Sequence, residues 1–338
     1  MDIGKLIKPE IRSLRAYEAE EIPCRVKLDA NESPYGFKVL QSVMTNKYPD
    51  PEAKELRKLV AGDLKVKPEN VLHGNGSDEL ISCLITTFGG PVLYPVPTFS
   101  MYGIISQSLG ERTIEIPLDR EFDLDRGAFK GKVKSRNPKL IFLSSPNNPT
   151  GNCFSESRIK KIIRQSQGLV IVDEAYQPFS SAKSFVPLIT KYKNLVILRT
   201  LSKIGLAGLR VGFLIAHADI VHQVNKVRLP FNVNSLSQKV AIDALRNKKQ
   251  IRSQIRLIIS ERNKLYKAMA GMDGAAPFPT DANFILFKVA DADRVYCSLL
   301  KKGVLIRNMK GAVGGCLRVT VGTAGENALF LKALKQVL

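Results

Sequence analysis

A chain of 338 residues with 44% hydrophobic and 24% charged side chains has the make-up of an ordinary globular protein, long enough for two lobes or for a large α/β unit with a smaller one beside it. No apolar run approaches the roughly 18 residues needed to span a bilayer, and the first residues lack a signal-like apolar segment, so a cytoplasmic protein without a membrane partner is expected. The net charge of +20 is spread along the chain apart from clusters near 130–139 and 246–256; with no helix-turn-helix, zinc or RNP-like signature beside it, it reads as a solvated basic face or a field that draws in small anions, not as a nucleic-acid surface.

From Val71 to Gly212 short apolar runs alternate with helical stretches. VLHG, the first, leads into HGNGSDEL, a Gly-rich turn opening a helix over 78–88, and backbone amides at such a helix start attract phosphate; Gly76, Ser77 and Asp78 sit there. PVLYPV follows, and PVPTFSMYG places Phe99 just past a strand and two prolines, where the ring either stacks on a flat ligand or packs in the core. After TIEIPL comes KLIFLSSPNNPTG, a strand ending in turn chemistry at Asn147, Asn148, Pro149 and Gly151; the Asn148 amide is a candidate donor to a ligand oxygen. A helix is expected over 156–167. GLVIVDEAY then sets Asp173 at the end of an almost wholly apolar strand, where a carboxylate is costly unless a cation such as a protonated ring nitrogen faces it. Tyr176, three residues on, either donates to a phenolate oxygen or caps the strand.

NLVILRT delivers the most telling residue, Lys203, to the mouth of the Gly-rich turn in RTLSKIGLAGLRVGF. An amine held there, partly desolvated and near Arg210, is shifted toward its free base, the form that attacks an aldehyde and makes a Schiff base with pyridoxal phosphate. Ser202 and Arg210 can offer a hydroxyl and a guanidinium to the same phosphate. With RVGFLIA, the strands predict a largely parallel, doubly wound α/β sheet covered on both faces, whose strand ends form a ligand crevice.

Beyond Pro230 the pattern changes: a basic, apolar-periodic stretch over 235–269 reads as one or two helices, followed by strands NFILFKV, VLIRN and CLRVTVG and helices over 292–302 and 326–337. This order predicts a smaller α+β C-terminal lobe. The expected division is an N-terminal arm at 1–29, a large cofactor-binding lobe at 30–233 and the small lobe at 234–338. Five scattered cysteines with no CxxC pair read as reduced thiols, and three histidines leave little from which to build a metal site, so none is expected.

Taken together, LDANESPYG, NKYPDP, HGNGSDELI, PTFSMYG, SPNNPTG, VDEAY, TLSKIGLAGLRVGF, NFILF, GVLIRN and GGCLRVTVG resemble, in order and over nearly the whole chain, the fold-type I pyridoxal-phosphate-dependent aminotransferases, and among these the histidinol-phosphate aminotransferases. The resemblance implies that Lys203 carries pyridoxal 5'-phosphate in Schiff-base linkage, that Asp173 pairs with the ring nitrogen, that Asn148 and Tyr176 hold the ring oxygen and that Phe99 stacks on the ring. It implies a phosphate site at Gly76, Ser77, Asp78, Ser202 and Arg210, completed by Tyr48 of a second subunit in a homodimer. Substrate anions would meet Arg307 and Arg318, with Tyr17 of the arm closing over them. The implied reaction is transamination of L-histidinol phosphate with 2-oxoglutarate, giving imidazole acetol phosphate and L-glutamate in histidine biosynthesis. A threonine-phosphate decarboxylase or an aromatic amino-acid aminotransferase is the alternative. The chain departs from the family pattern in its short length, in the compact spacing from Lys203 to Arg210, and at Phe99, where tyrosine is frequent.

Overall fold

The computed structural model describes residues 24–29, 31–35 and 48–338. Among these, β1 (Val26–Lys27) precedes a seven-stranded sheet made of β2 (Val71–Asn75), β3 (Val92–Val96), β4 (Thr113–Pro117), β5 (Leu140–Ser144), β6 (Leu169–Asp173), β7 (Leu195–Thr200) and β8 (Val211–Ala216), in the spatial order β2-β8-β7-β6-β5-β3-β4. All neighbours run parallel except β8, which is antiparallel to both β2 and β7. The carboxyl ends of β2, β5, β6 and β7 and the amino end of β8 therefore lie along one edge, where open sheets of this kind bind ligands.

The central strands are apolar on both sides because both sides are covered. Successive side chains of a strand point to opposite faces, and the residues divide accordingly: Ile141, Leu143, Val170, Val172 and Ile197 join one buried cluster, while Leu140, Phe142, Ile171, Val196 and Leu198 join the other. The first face is covered by helices Lys54–Leu64, Arg126–Arg136, Glu156–Gln165 and Ser235–Arg246, the second by Gly76–Phe88, Met101–Ser108 and Ala218–Asn225. In Glu156–Gln165 the apolar stripe is Ile159, Ile162 and Ile163, the i, i+3, i+4 spacing that lays one helix face on a sheet. Each such side chain contributes roughly 1.5–3 kcal/mol by leaving water.

The C-terminal part builds a four-stranded antiparallel sheet in the order β12-β13-β10-β9 from β9 (Ala276–Pro277), β10 (Phe284–Lys288), β12 (Arg307–Asn308) and β13 (Cys316–Thr320). The run expected as one strand, VLIRN, divides at buried Ile306: β11 (Val304–Leu305) pairs in parallel with β1, and β12 pairs with β13. The long basic stretch is two helices, Ser235–Arg246 and Lys248–Ala270, because Asn247 ends the first and caps the second by accepting the Gln250 amide. Helix Ala324–Val337 starts two residues ahead of expectation, at a Thr323/Glu326 capping box. No helix among the described residues is long and apolar enough to cross a membrane.

Candidate active site

A cleft of about 480 Å³ opens at the shared edge, lined by residues from the ends of β5, β6 and β7 and from the turn after β2. Lys203 reaches it from a one-turn 3₁₀ segment, Ser202–Ile204, directly after β7, with Gly205 at φ 95° turning the chain away. Its Nζ lies 5.9 Å from the centre of the Tyr176 ring and makes no hydrogen bond or ion pair with any described residue. A lysine so placed keeps its amine for chemistry.

Asp173 ends β6 and is 4% exposed. The sequence calls for a cation opposite it, yet no cation pairs with it among the described residues: the Tyr102 phenol donates to Oδ2 at 2.7 Å and the Ala175 amide to Oδ1 at 3.0 Å. Burial pushes its carboxyl up to about 6; the Tyr102 and Ala175 hydrogen bonds pull it back, and the charges of Asp78 and Glu174 push it further up. A buried carboxylate supported only by neutral donors, with the cleft on its open side, fits a ligand that brings its own positive charge.

Tyr176 is oriented from the N-terminal side, since Asn31 Nδ2 donates to its phenol oxygen at 3.1 Å and its ring meets Phe284 edge-on. Its own O–H is left for the cleft. The two neighbouring asparagines divide their tasks. Asn147, fully buried, donates to Pro97 O and accepts from the Thr98 hydroxyl, so it clamps the turn after β3 to the turn after β5. Asn148 accepts from Arg318 Nη1, which leaves its NH₂ facing the cleft. Phe99 lines the cleft and packs edge-on against Tyr102 at 5.6 Å.

At the other end, helix Gly76–Phe88 points its first amides at the cleft beside Ser77 and Asp78. The Asp78 carboxylate accepts from Arg210 Nη2 at 2.9 Å, and the Thr200 hydroxyl donates to the Ser202 hydroxyl at 2.9 Å. Two glycines make the cradle possible. Gly76 sits at φ 78°, and a Cβ there would stand 2.5 Å from Arg210 Nη2; a Cβ on Gly212 would stand 2.6 Å from the backbone of Gly76 and Ser77. Backbone cannot step aside as a side-chain tip can, so Gly212→Ala displaces the turn. Overpacking of this kind costs about 1–3 kcal/mol, and the expected result is a lower melting temperature with at least a tenfold loss of affinity for a phosphorylated ligand, read by fluorescence titration. An unchanged affinity would separate Gly212 from the cradle.

The sequence model described as Aminotransferase class I and II matches residues 16–334. The chain belongs to the class I and II aminotransferases. Curated relatives include a histidinol-phosphate aminotransferase of Caldanaerobacter subterraneus subsp. tengcongensis, 39% identical over 99% of each chain, and one of Aquifex aeolicus, 42% identical over 98% of each. Among solved structures, the histidinol-phosphate aminotransferase of Sinorhizobium meliloti in complex with pyridoxal-5'-phosphate superposes with a TM-score of 0.88 at 24% identity, over 98% of this chain and 97% of that one. The aminotransferase thus has the fold-type I architecture.

The remaining residues expected at the site of this aminotransferase lie at or beyond the cleft rim. Arg318, 7% exposed, is gripped by the Asp29 carbonyl at 2.8 Å and lies over the Phe284 ring at 5.2 Å. Arg307 stands opposite it in the β12–β13 register, so both guanidinium groups leave the same face of the sheet, and the Arg307 side chain makes no hydrogen bond or ion pair with a described residue. Replacing Arg318 by alanine withdraws the support of Asn148 and one of these two cations; the expected rise in KM for an anionic amino substrate is about ten- to hundredfold, since a hydrogen bond to a charged group contributes about 1.5–3 kcal/mol. Tyr48 is 82% exposed, stacked on Phe231 at 4.7 Å and absent from the lining of this chain's own cleft. Tyr17 lies outside the described residues. Three residues of the aminotransferase's site escape a reading of the sequence: Tyr102, Asn31 and Thr200. Asn31 falls within LDANESPYG, but its partners Tyr176, Thr320 and Asn283 come from far along the chain.

Proposed function

We propose that the chain transfers the amino group of L-histidinol phosphate to 2-oxoglutarate, using pyridoxal 5'-phosphate and yielding imidazole acetol phosphate and L-glutamate, a step of L-histidine biosynthesis. The uncommitted Lys203 amine, in one cleft with buried Asp173, carries this reading. Relatives named for that reaction at 39% and 42% identity across nearly the whole chain support the choice of substrate. When bound, pyridoxal phosphate supplies an aldehyde that condenses with amines and a ring that withdraws electrons from the carbon bearing them.

The residues divide the rest of the work. Lys203 Nζ would hold the aldehyde and, once released, take and return the proton at the amine-bearing carbon of the substrate. Asp173 holds a proton on the ring nitrogen, and the Tyr176 hydroxyl and Asn148 NH₂ hold the ring oxygen. Phe99 covers the ring. The amides of Ser77 and Asp78, with Ser202 and Arg210, bind the cofactor phosphate; the Asp78 carboxylate serves by fixing Arg210. Arg318 and Arg307 bind the phosphate of the amine substrate and then the carboxylates of the acceptor.

The functional unit is a homodimer in which Tyr48 reaches the partner's phosphate site. In support, exposed Tyr48 stacks on Phe231, and in the same short stretch of chain Leu229 and Leu236 are 70% and 53% exposed, large apolar side chains of the kind that subunit contacts cover. A cytoplasmic setting accords with five cysteines all free of disulfides.

The visible spectrum tests the whole reading. The cofactor-loaded protein should lose its absorbance band on addition of L-histidinol phosphate and regain it with 2-oxoglutarate. Response to threonine phosphate or phenylalanine alone would reassign the substrate, and the absence of any cofactor band would remove Lys203 from its role. The net charge of +20 adds a second expectation: kcat/KM for these anionic substrates falls severalfold between about 0.01 and 0.3 M salt as screening shortens the field. A flat profile would make the charge a solvated surface only.

A further inference from the structure

Tyr102 is the most deeply buried polar side chain bordering the site that the roles above leave unused. It is 0% exposed and sits near the start of helix Met101–Ser108, three residues beyond Phe99. Its ring stacks on Phe142 of β5 at 4.8 Å with 17° between planes, and its edge meets Phe99. Its one phenolic proton goes to Asp173 Oδ2. Burial and the neighbouring carboxylate hold the phenol well above its ordinary range, so it stays a donor at any working pH.

We propose that Tyr102 is a positioning residue for the reaction: it fixes the plane of the Asp173 carboxylate between two donors and keeps that carboxylate charged, so that its free lone pairs face the cleft. The inference rests on the reading of Asp173 as the partner of a ring nitrogen. The geometry supports it in three ways. Oδ1 is held by the Ala175 amide and Oδ2 by the phenol, so the group cannot turn about its Cβ–Cγ bond without breaking one of two buried hydrogen bonds. The other acids near Asp173, Asp78 from helix Gly76–Phe88 and the adjoining Glu174, both disfavour its charge, and each has a cation of its own, Arg210 and Arg199 respectively. Lys203 and Arg210 line the same cleft but make no hydrogen bond or ion pair with Asp173, which leaves Tyr102 as the sole side-chain donor to it among the described residues. The phenol also ties two functions together, since the side chain that orients the carboxylate is the one against which Phe99 packs.

The test uses the full-length protein with Tyr102→Phe, which keeps the ring and its stack and removes only the hydroxyl. Two quantities are read: the affinity of the cofactor-free protein for pyridoxal phosphate, and the protonation midpoint of the ring nitrogen, followed by NMR with ¹⁵N-labelled cofactor. A lost hydrogen bond to a charged group predicts a dissociation constant raised about ten- to hundredfold and a midpoint lowered by about one pH unit or more. A control, Phe142→Leu, breaks the stack and spares the phenol, and should leave the midpoint in place. If Tyr102→Phe matches the wild type in both readouts while Asp173→Asn loses ring protonation, the role of Tyr102 is overturned and the site reading survives. Equal shifts in Tyr102→Phe and Phe142→Leu would also overturn it, because packing alone would then suffice. A ring nitrogen that stays protonated in Asp173→Asn, or a wild type that binds no cofactor, would overturn both.

Discussion

Lys203→Ala is expected to abolish transamination, with kcat/KM down by about ten-thousandfold or more, while the protein folds and melts as before. A positioned general base alone supplies roughly a hundred- to ten-thousandfold, and in the proposed reaction this amine also holds the aldehyde, so its removal would affect both parts of the reaction. The fold should not register the loss. Lys203 makes no hydrogen bond or ion pair with a described residue, its strand β7 is anchored by Leu195, Val196, Ile197 and Leu198, all fully buried, and the turn around it is shaped by Gly205. Single-turnover conversion of the amine substrate, beside a thermal melt, measures the two halves of the claim. Turnover within a hundredfold of the wild type would move the catalytic amine elsewhere.

Asp173→Asn is expected to do two opposite things. Activity should fall about a hundred- to thousandfold, the scale on which one preorganised charge acts in a buried site. Stability of the cofactor-free protein at neutral pH should rise. The carboxyl of Asp173 stands at about 6 in the fold against an ordinary 3.8, so between those values the folded chain keeps a proton that the unfolded chain has released. The favourable contribution is complete below the unfolded value and is lost as pH climbs through about 6; at pH 7 the charged, buried group costs on the order of 3 kcal/mol. Asparagine carries no such charge. Melting curves of the cofactor-free proteins at about pH 4.5 and 7.5 should therefore converge in acid and separate at neutral pH, with the variant higher. Saturating pyridoxal phosphate should close or reverse that gap, because it returns a positive partner to the carboxylate. Parallel curves at both pH values would show that Asp173 is not under this strain.

The central sheet was legible because its strands are buried on both faces, which writes them as continuous apolar runs such as LIFL and LVIV with chemistry-bearing residues at their ends. Asn148, Asp173, Tyr176, Ser202 and Lys203 thus stood out together at strand ends, and all five line one cleft. Tyr102 did not, since a tyrosine in the apolar stripe of a short helix looks like core until its partner 71 residues away is known. Helix Arg126–Arg136 was hidden for the opposite reason: only Phe129 and Val133 are buried, and its basic residues mask the periodicity. The division of VLIRN at Ile306 depends on two different partners, β1 and β13, and no local pattern encodes that choice. Asn31 and Thr200 act through hydrogen bonds to residues whose proximity only the fold creates.

The stitching of residues 26–29 and of Asn31 has a consequence for how the molecule is assembled in time. Val26 and Lys27 wait for Val304 and Leu305, the Asp29 carbonyl waits for Arg318, and the amide of Asn31 reaches Thr320 across 289 positions. A chain synthesised from its amino end must hold this segment unpaired until almost every later residue has appeared, and closing so long a loop is slow compared with forming the local helices. Tyr176 gains its Asn31 donor, and Arg318 its grip, only in that last event. The large sheet can be complete once residue 216 has emerged, yet Tyr176 and Arg318, the groups proposed to meet the cofactor and the substrate, come into register only when the two distant ends of the described chain find each other.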